Sequence, residues 1–242
     1  MPRKAVTESI ADADAAQGGV AAVDRALSLM SVFTNNDQAL SLRELAERTR
    51  LYKSTVLRLL ASLEHARWIQ RLEDGRYALG SEVARLHGVY SASFSLERVV
   101  IPVLRELVAT TGESAAYHVR QGDARLCLYR VDSPHPVRDH IRAGDLLPLN
   151  RGSGGRILTA FDDILGAAPG PDHDLYQKIR RDGYFASVGD RLAEVAGISA
   201  PVFSASGALA AAVTLTVPAH RYDPAHVTAV LHAAGQLSRR VG

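Results

Sequence analysis

One stretch constrains the fold of this chain more than any other: SLRELAERTRLYKSTVLRLLASLEHARWIQRLEDGRYALG, residues 41–80. Ser41 followed three residues later by Glu44 is a capping box, in which hydroxyl and carboxylate each satisfy a backbone donor of the first helical turn. The helix it starts ends near Thr49. After the short connection Arg50–Tyr52 a second helix begins at Lys53, with Val56, Leu59, Leu60 and Leu63 at i, i+3, i+4 and i+7 as its buried stripe. WIQRL and RYAL then read as two short strands joined through Asp74-Gly75. Upstream, Val20, Val23, Ala26, Leu27, Met30 and Phe33 recur with a helical period. Three helices and a hairpin in about 60 residues form a compact unit with its own core, a helix-turn-helix closed by a wing.

The face of the second helix opposite its apolar stripe carries Ser54, Arg58, Ala61 and Ser62, with Tyr52, Lys53 and Thr55 at its start. Small polar residues allow close approach to a duplex, and an arginine makes a bidentate contact to guanine in the major groove. The helix N-terminus adds backbone N–H groups suited to a phosphate. Ser41 and Arg43, at the start of the first helix of the pair, stand where backbone contacts are expected. Charge agrees: Arg48–Arg76 holds seven Lys/Arg against three acids, a net of +4, while the whole chain carries only +2. Arg71 and Arg76 flank the hairpin tip, as a wing lying on a sugar-phosphate backbone requires. The competing reading is a module of the same shape that binds another protein; the salt dependence of DNA affinity separates the two.

These residues carry a resemblance. VAAVDRALSLMSVF, the helix-turn-helix run and DGRYALG resemble the N-terminal winged helix-turn-helix of the IclR family of bacterial transcriptional regulators, nearly without gaps over 19–88. The match includes Asp24-Arg25-Ala26, Leu45-Ala46, Ser54-Thr55, Arg58, Leu60 and Leu79-Gly80. The family usually has glycine where this chain has Arg50 and Arg67. If either backbone has φ > 0, a side chain there costs about 1 kcal/mol or more.

The second half mixes strands and helices. LERVVIPVLRELVAT is an amphipathic helix; SAAYHV and RLCLYRV are strand-like runs either side of Arg120–Asp123; ISAPVF and LAAAVTLTV form another pair around Ser206-Gly207. A helix up to Arg181 follows the turn APGPD, and a final helix starts at Pro224. Hairpin-type turns between strands indicate an α+β domain on an antiparallel sheet. GESAAYHV, GDLLPLNRGSGGRILTAF, RRDGYFASVGD and ISAPVFSASGALAAAVTLTVP resemble the family's GAF-like effector-binding domain. The resemblance implies 1–18 as a flexible tail, 19–81 as the winged unit, 82–95 as a linker helix and 96–242 as the effector domain.

NRGSGGRIL, residues 150–158, is the stretch whose chemistry is most open. It does not fit a nucleophile elbow, because Gly152 and Ser153 are adjacent, nor a Walker loop, because Asn150 stands where its first glycine belongs. A small-residue turn opening a helix, able to admit a ligand to backbone N–H groups, is left. By the family's effector-contact pattern the lining is Ser153, Gly154, Ser187, Gly197, Thr214 and Thr216. Thr214 and Thr216, two apart on a strand, share a face independently of that pattern. Departures include Asn150, Arg151 and Arg156, where the family usually has His, Ala and Lys, and a shortened segment between Phe161 and Gly183.

The resemblance thus implies a regulator without catalytic residues or cofactor, binding double-stranded DNA at a pseudo-palindromic operator as a homodimer or tetramer. A small effector, an organic or aromatic acid, modulates it. The alternative is a GAF-like sensor or interaction module without effector-controlled DNA binding. The histidines show no metal-ligand spacing. The lone Cys127 fits a reducing, cytoplasmic setting. The longest apolar run, Gly207–Pro218, has 12 residues, short of the ~20 a membrane span needs.

Overall fold

The computed structural model describes residues 8–93, 96–162, 165–166 and 170–241. The chain divides into two compact units, Met1–Ser93 and Phe94–Gly242.

In the first unit, α1 (Ile10–Ala13) is a single helical turn capped by the Ser9 hydroxyl and tied to the next helix by an Asp12–Arg25 ion pair at 2.8 Å. This turn and the buried Ala11 lie within residues 1–18, expected as a flexible tail, of which 1–7 lie outside the described residues. Next come α2 (Ala21–Ser31), α3 (Leu42–Thr49) and α4 (Lys53–His65). The capping box is formed as expected, with Glu44 N–H donating to the Ser41 hydroxyl and Ser41 N–H to the Glu44 carboxylate. Strands β1 (Ile69–Arg71) and β2 (Tyr77–Leu79) pair antiparallel as the wing, and α5 (Ser81–Ser93) closes the unit. Leu29, Leu45, Val56, Leu60, Ile69 and Tyr77 meet in the core. Arg50 and Arg67 are both left-handed, at φ 57° and 59°, so each takes the strained backbone that a glycine would adopt freely.

The second unit begins with α6 (Leu96–Thr111), followed by β3 (Ser114–Gln121), β4 (Ala124–Val131) and β5 (Leu146–Pro148). Then come α7 (Ser153–Ala160), α8 (His173–Asp182), β6 (Phe185–Val188), β7 (Val195–Phe203), β8 (Leu209–Pro218) and α9 (His226–Ser238). The turn expected at APGPD lies partly outside the described residues. The six strands form one antiparallel sheet in the order β5-β4-β3-β8-β7-β6. β5 and β6, its two edges, escaped the sequence reading because three or four half-exposed residues give no alternation to count.

Strand alternation divides the sheet chemically. Tyr117, Ile198, Val202, Val213, Leu215 and Val217 face α6 and α9 and make the main core with Val100, Leu104 and Leu107. The opposite face is polar and small-sided. Its register places Ser114 opposite Thr216 and Thr216 opposite Gly197, with Thr214 between Ala116 and Ser199. Under this face α7 packs its apolar side through Ile157 and Leu158.

Candidate nucleic-acid interface and ligand pocket

On α4, Lys53, Ser54, Arg58 and Ser62 are exposed and Thr55 is half-buried, so the face opposite the core is open along its length. Thr55, Arg58 and Ser62 line a groove of about 340 Å³ with Ala22 and Arg25 of α2. No side chain caps the first turn of α4, which leaves its N–H groups to an outside acceptor. Leu57, missed in the sequence reading, is 47% exposed on the same helix. Standing between Ser54 and Arg58, it is suited to apolar contact with a thymine methyl.

Several proposed contact residues have local partners. Ser41 is occupied as the cap of α3, Arg43 pairs with Glu47 and Arg76 with Asp74, both at 2.7 Å. Arg71 lies over the Tyr77 ring, 5.8 Å from its centroid. The two arginine pairs are solvent-exposed, where such contacts are weak and readily exchanged for a phosphate. Tyr52 is exposed at the N-cap of α4.

In the second unit, Ser153, Ser187, Gly197, Thr214 and Thr216 converge on one cavity of about 30 Å³. Gly154 abuts it: a Cβ there would lie 2.7 Å from Thr214 Oγ1 and 3.0 Å from an Arg125 nitrogen. A chain of hydroxyls runs across the floor. Ser199 Oγ lies 2.8 Å from both Ser153 Oγ and Thr214 Oγ1, and Thr214 Oγ1 lies 3.2 Å from His118 Nδ1. Gly152, at φ 76°, turns the chain into α7. Its N–H donates to Asp190, and its carbonyl accepts from Arg125.

The charged residues of this pocket escaped the sequence reading. His118 is 1% and Arg125 3% exposed, and Asp190 and Arg191 also reach the wall. Burial, reinforced by Arg125, Arg130 and Arg191, holds the His118 imidazole well below its ordinary range, so it is neutral. Burial and the neighbouring Arg191 push Arg125 down to about 10. Burial also lowers Arg191. His118 Nε2, Arg125 Nε and Arg191 Nη2 are buried without a hydrogen-bond partner among the described residues. The only available signal was strand parity: His118 lies on the same face of its strand as Ser114 and Ala116. Nothing local marks Arg125 or Arg191.

Cys127 is buried, which pushes its thiol up to about 12 and leaves it protonated. Among the described residues no three metal-ligating side chains gather, and no helix is long and apolar enough to cross a membrane.

A winged helix-turn-helix with a basic recognition helix, carried with a sheet domain that encloses a polar pocket, defines a DNA-binding regulator of transcription. The chain belongs to the IclR family: the IclR helix-turn-helix domain matches residues 22–73, and the bacterial transcriptional regulator IclR C-terminal domain matches 89–165 and 173–241. The unmatched residues, 166–172, fall between Phe161 and Gly183. Similar proteins include the HTH-type transcriptional regulator BhcR of Paracoccus denitrificans, 27% identical over 91% of this chain and 87% of that protein. KipR of Bacillus subtilis is 24% identical over 91% and 96%. Among solved structures, an IclR regulator from a Silicibacter species is 25% identical and superposes with a TM-score of 0.80, covering 91% of this chain and 96% of that one. An IclR homolog of Microbacterium hydrocarbonoxydans, complexed with 4-hydroxybenzoate, shares the fold at 22% identity and a TM-score of 0.78, covering 90% and 98%. These relatives are regulators, and this chain is one too, rather than an enzyme.

Proposed function

We propose that this regulator binds a pseudo-palindromic operator as a homo-oligomer and releases or retains it according to a small organic acid held in the second unit. The pocket carries this reading: a built cavity whose buried polar atoms lack partners is costly unless something fills it. An organic or aromatic acid is the effector class, one to which the Microbacterium protein's 4-hydroxybenzoate also belongs. Ser153, Gly154, Ser187, Gly197, Thr214 and Thr216 form the effector-contact set, with His118 and Arg125 behind them.

In the first unit Arg58 reads a base edge, with Lys53, Ser54, Thr55 and Ser62 positioning the helix. Tyr52, Ser41, Arg43, Arg71 and Arg76 serve the phosphate backbone. Val20 at the N-cap of α2, with Val23 and Leu27 on the helix, forms an apolar stripe exposed by 64%, 53% and 54%, and this supports pairing of two copies, since a lone soluble domain seldom leaves such a stripe bare. Two copies place two recognition helices on half-sites about one helical turn apart. The effector acts by binding one arrangement of the oligomer more tightly than another.

The DNA half is tested by fluorescence anisotropy on a fragment selected from a random-sequence pool. Arg58→Ala is expected to weaken specific binding by about tenfold or more, the worth of one bidentate base contact. Unchanged affinity would remove Arg58 from the reading role.

A further inference from the structure

Arg125 and Arg191 are the unusual feature of the pocket. Each reaches the cavity wall, and neither has a carboxylate within ion-pairing distance among the described residues. The one acid on that wall, Asp190, accepts from the Gly152 N–H and from Arg156, which also binds Asp172 at 2.5 Å. The hydrogen bonds to Asp190, Tyr176 and Asp172 hold the Arg156 guanidinium charged against the pull of burial. The Asp190 charge is therefore shared with Arg156, and neither Arg125 nor Arg191 has a carboxylate of its own. Beyond burial, Arg191 lowers the Arg125 pKa further; burial and Arg130 lower that of Arg191, where Asp139, itself paired with Arg130, offsets only part of the effect. His118 is neutral, so it adds a hydrogen-bonding atom there but no charge. A buried guanidinium without an ion-pair partner is destabilising, and its planar fork is matched to an oxyanion.

Size limits the occupant. The cavity is small, about 30 Å³, and Gly154 and Gly197 keep it open, so it favours the most compact anions over a ring-bearing acid. A Cβ on Gly197 would come within 2.4 Å of the Ser153 hydroxyl.

Resting on the reading that this pocket is the effector site, we infer that its ligand is a compact dianion bridging Arg125 and Arg191, with the Ser153, Thr214 and Thr216 hydroxyls completing its shell. Short dicarboxylates and tetrahedral oxyanions share this chemistry.

The test is calorimetric titration of the full-length protein with oxalate, malonate, phosphate and sulfate, beside acetate and 4-hydroxybenzoate. At least one dianion is expected to bind about tenfold or more tightly than either monoanion, and the preferred dianion tells a dicarboxylate from a tetrahedral ligand. Arg191→Gln, at a half-buried position that tolerates change better than Arg125, should weaken that dianion about tenfold or more, the value of one charge-assisted bond. Thr214→Val should weaken any ligand of this pocket. A monoanion that binds as tightly as every dianion and is sensitive to Thr214→Val would overturn the dianion inference and leave the pocket assignment standing. No binding by any of the six, or binding indifferent to both variants, would overturn both.

Discussion

Arg50 and Arg67 show how a single side chain can work against the fold it occupies. Each stands in a left-handed turn, where an L-residue is strained by about 1 kcal/mol. Arg50→Gly and Arg67→Gly should each raise the stability of the winged unit, by up to that amount, read from the midpoint of urea denaturation. A fall in the midpoint would mean that the arginines make contacts outweighing the strain. Gly80 is the opposite case: its backbone crosses that of Arg67 so closely that a Cβ would lie 2.1 Å from the carbonyl oxygen. Gly80→Ala should displace the wing and abolish specific DNA binding; retained affinity would show that the backbone yields there cheaply. His118 gives a pH dependence. Its folded pKa lies well below the ordinary 6.5, so below about pH 6.5 the unfolded chain binds a proton that the folded chain refuses. Stability present above that pH is lost as pH falls, by up to about 1.4 kcal/mol per pH unit. His118→Asn should flatten this limb in unfolding curves between pH 7 and 5; an unchanged slope would place the loss elsewhere.

At the scale of elements, the helix-turn-helix and wing were legible because each has its own signal. A capping box, an i, i+3, i+4, i+7 stripe and a turn containing Asp74-Gly75 fix α3, α4 and the hairpin without reference to the rest. The central strands were legible as strand-like runs separated by hairpin-type turns, and their register then brings Thr214, Thr216 and Gly197 together. Short edge strands and the α1 turn were not legible, because their order comes from neighbours. The charged pocket residues were hidden for the same reason: Arg125, Asp190 and Arg191 are ordinary surface types whose burial is decided by the sheet and the Gly152 turn. Among the most exposed apolar residues described are Val20, Val23 and Leu27, on α2 and its N-cap. Leu27→Glu should convert the oligomer to a smaller species in sedimentation experiments and cost operator affinity; an unaltered sedimentation coefficient would move the interface off this helix.

Across the whole molecule, the proposed function couples a basic reading helix in one unit to a polar pocket in the other. Phosphate contacts make DNA affinity fall steeply with salt, so ionic strength must be held fixed when an anion is added. The most direct measurement is anisotropy of a selected operator fragment, at constant ionic strength, with and without the tightest-binding anion, for the native protein and Thr214→Val. The anion is expected to shift operator Kd for the native protein and to leave that of Thr214→Val unmoved. An anion that binds the native protein yet leaves its operator Kd unchanged would contradict this coupling.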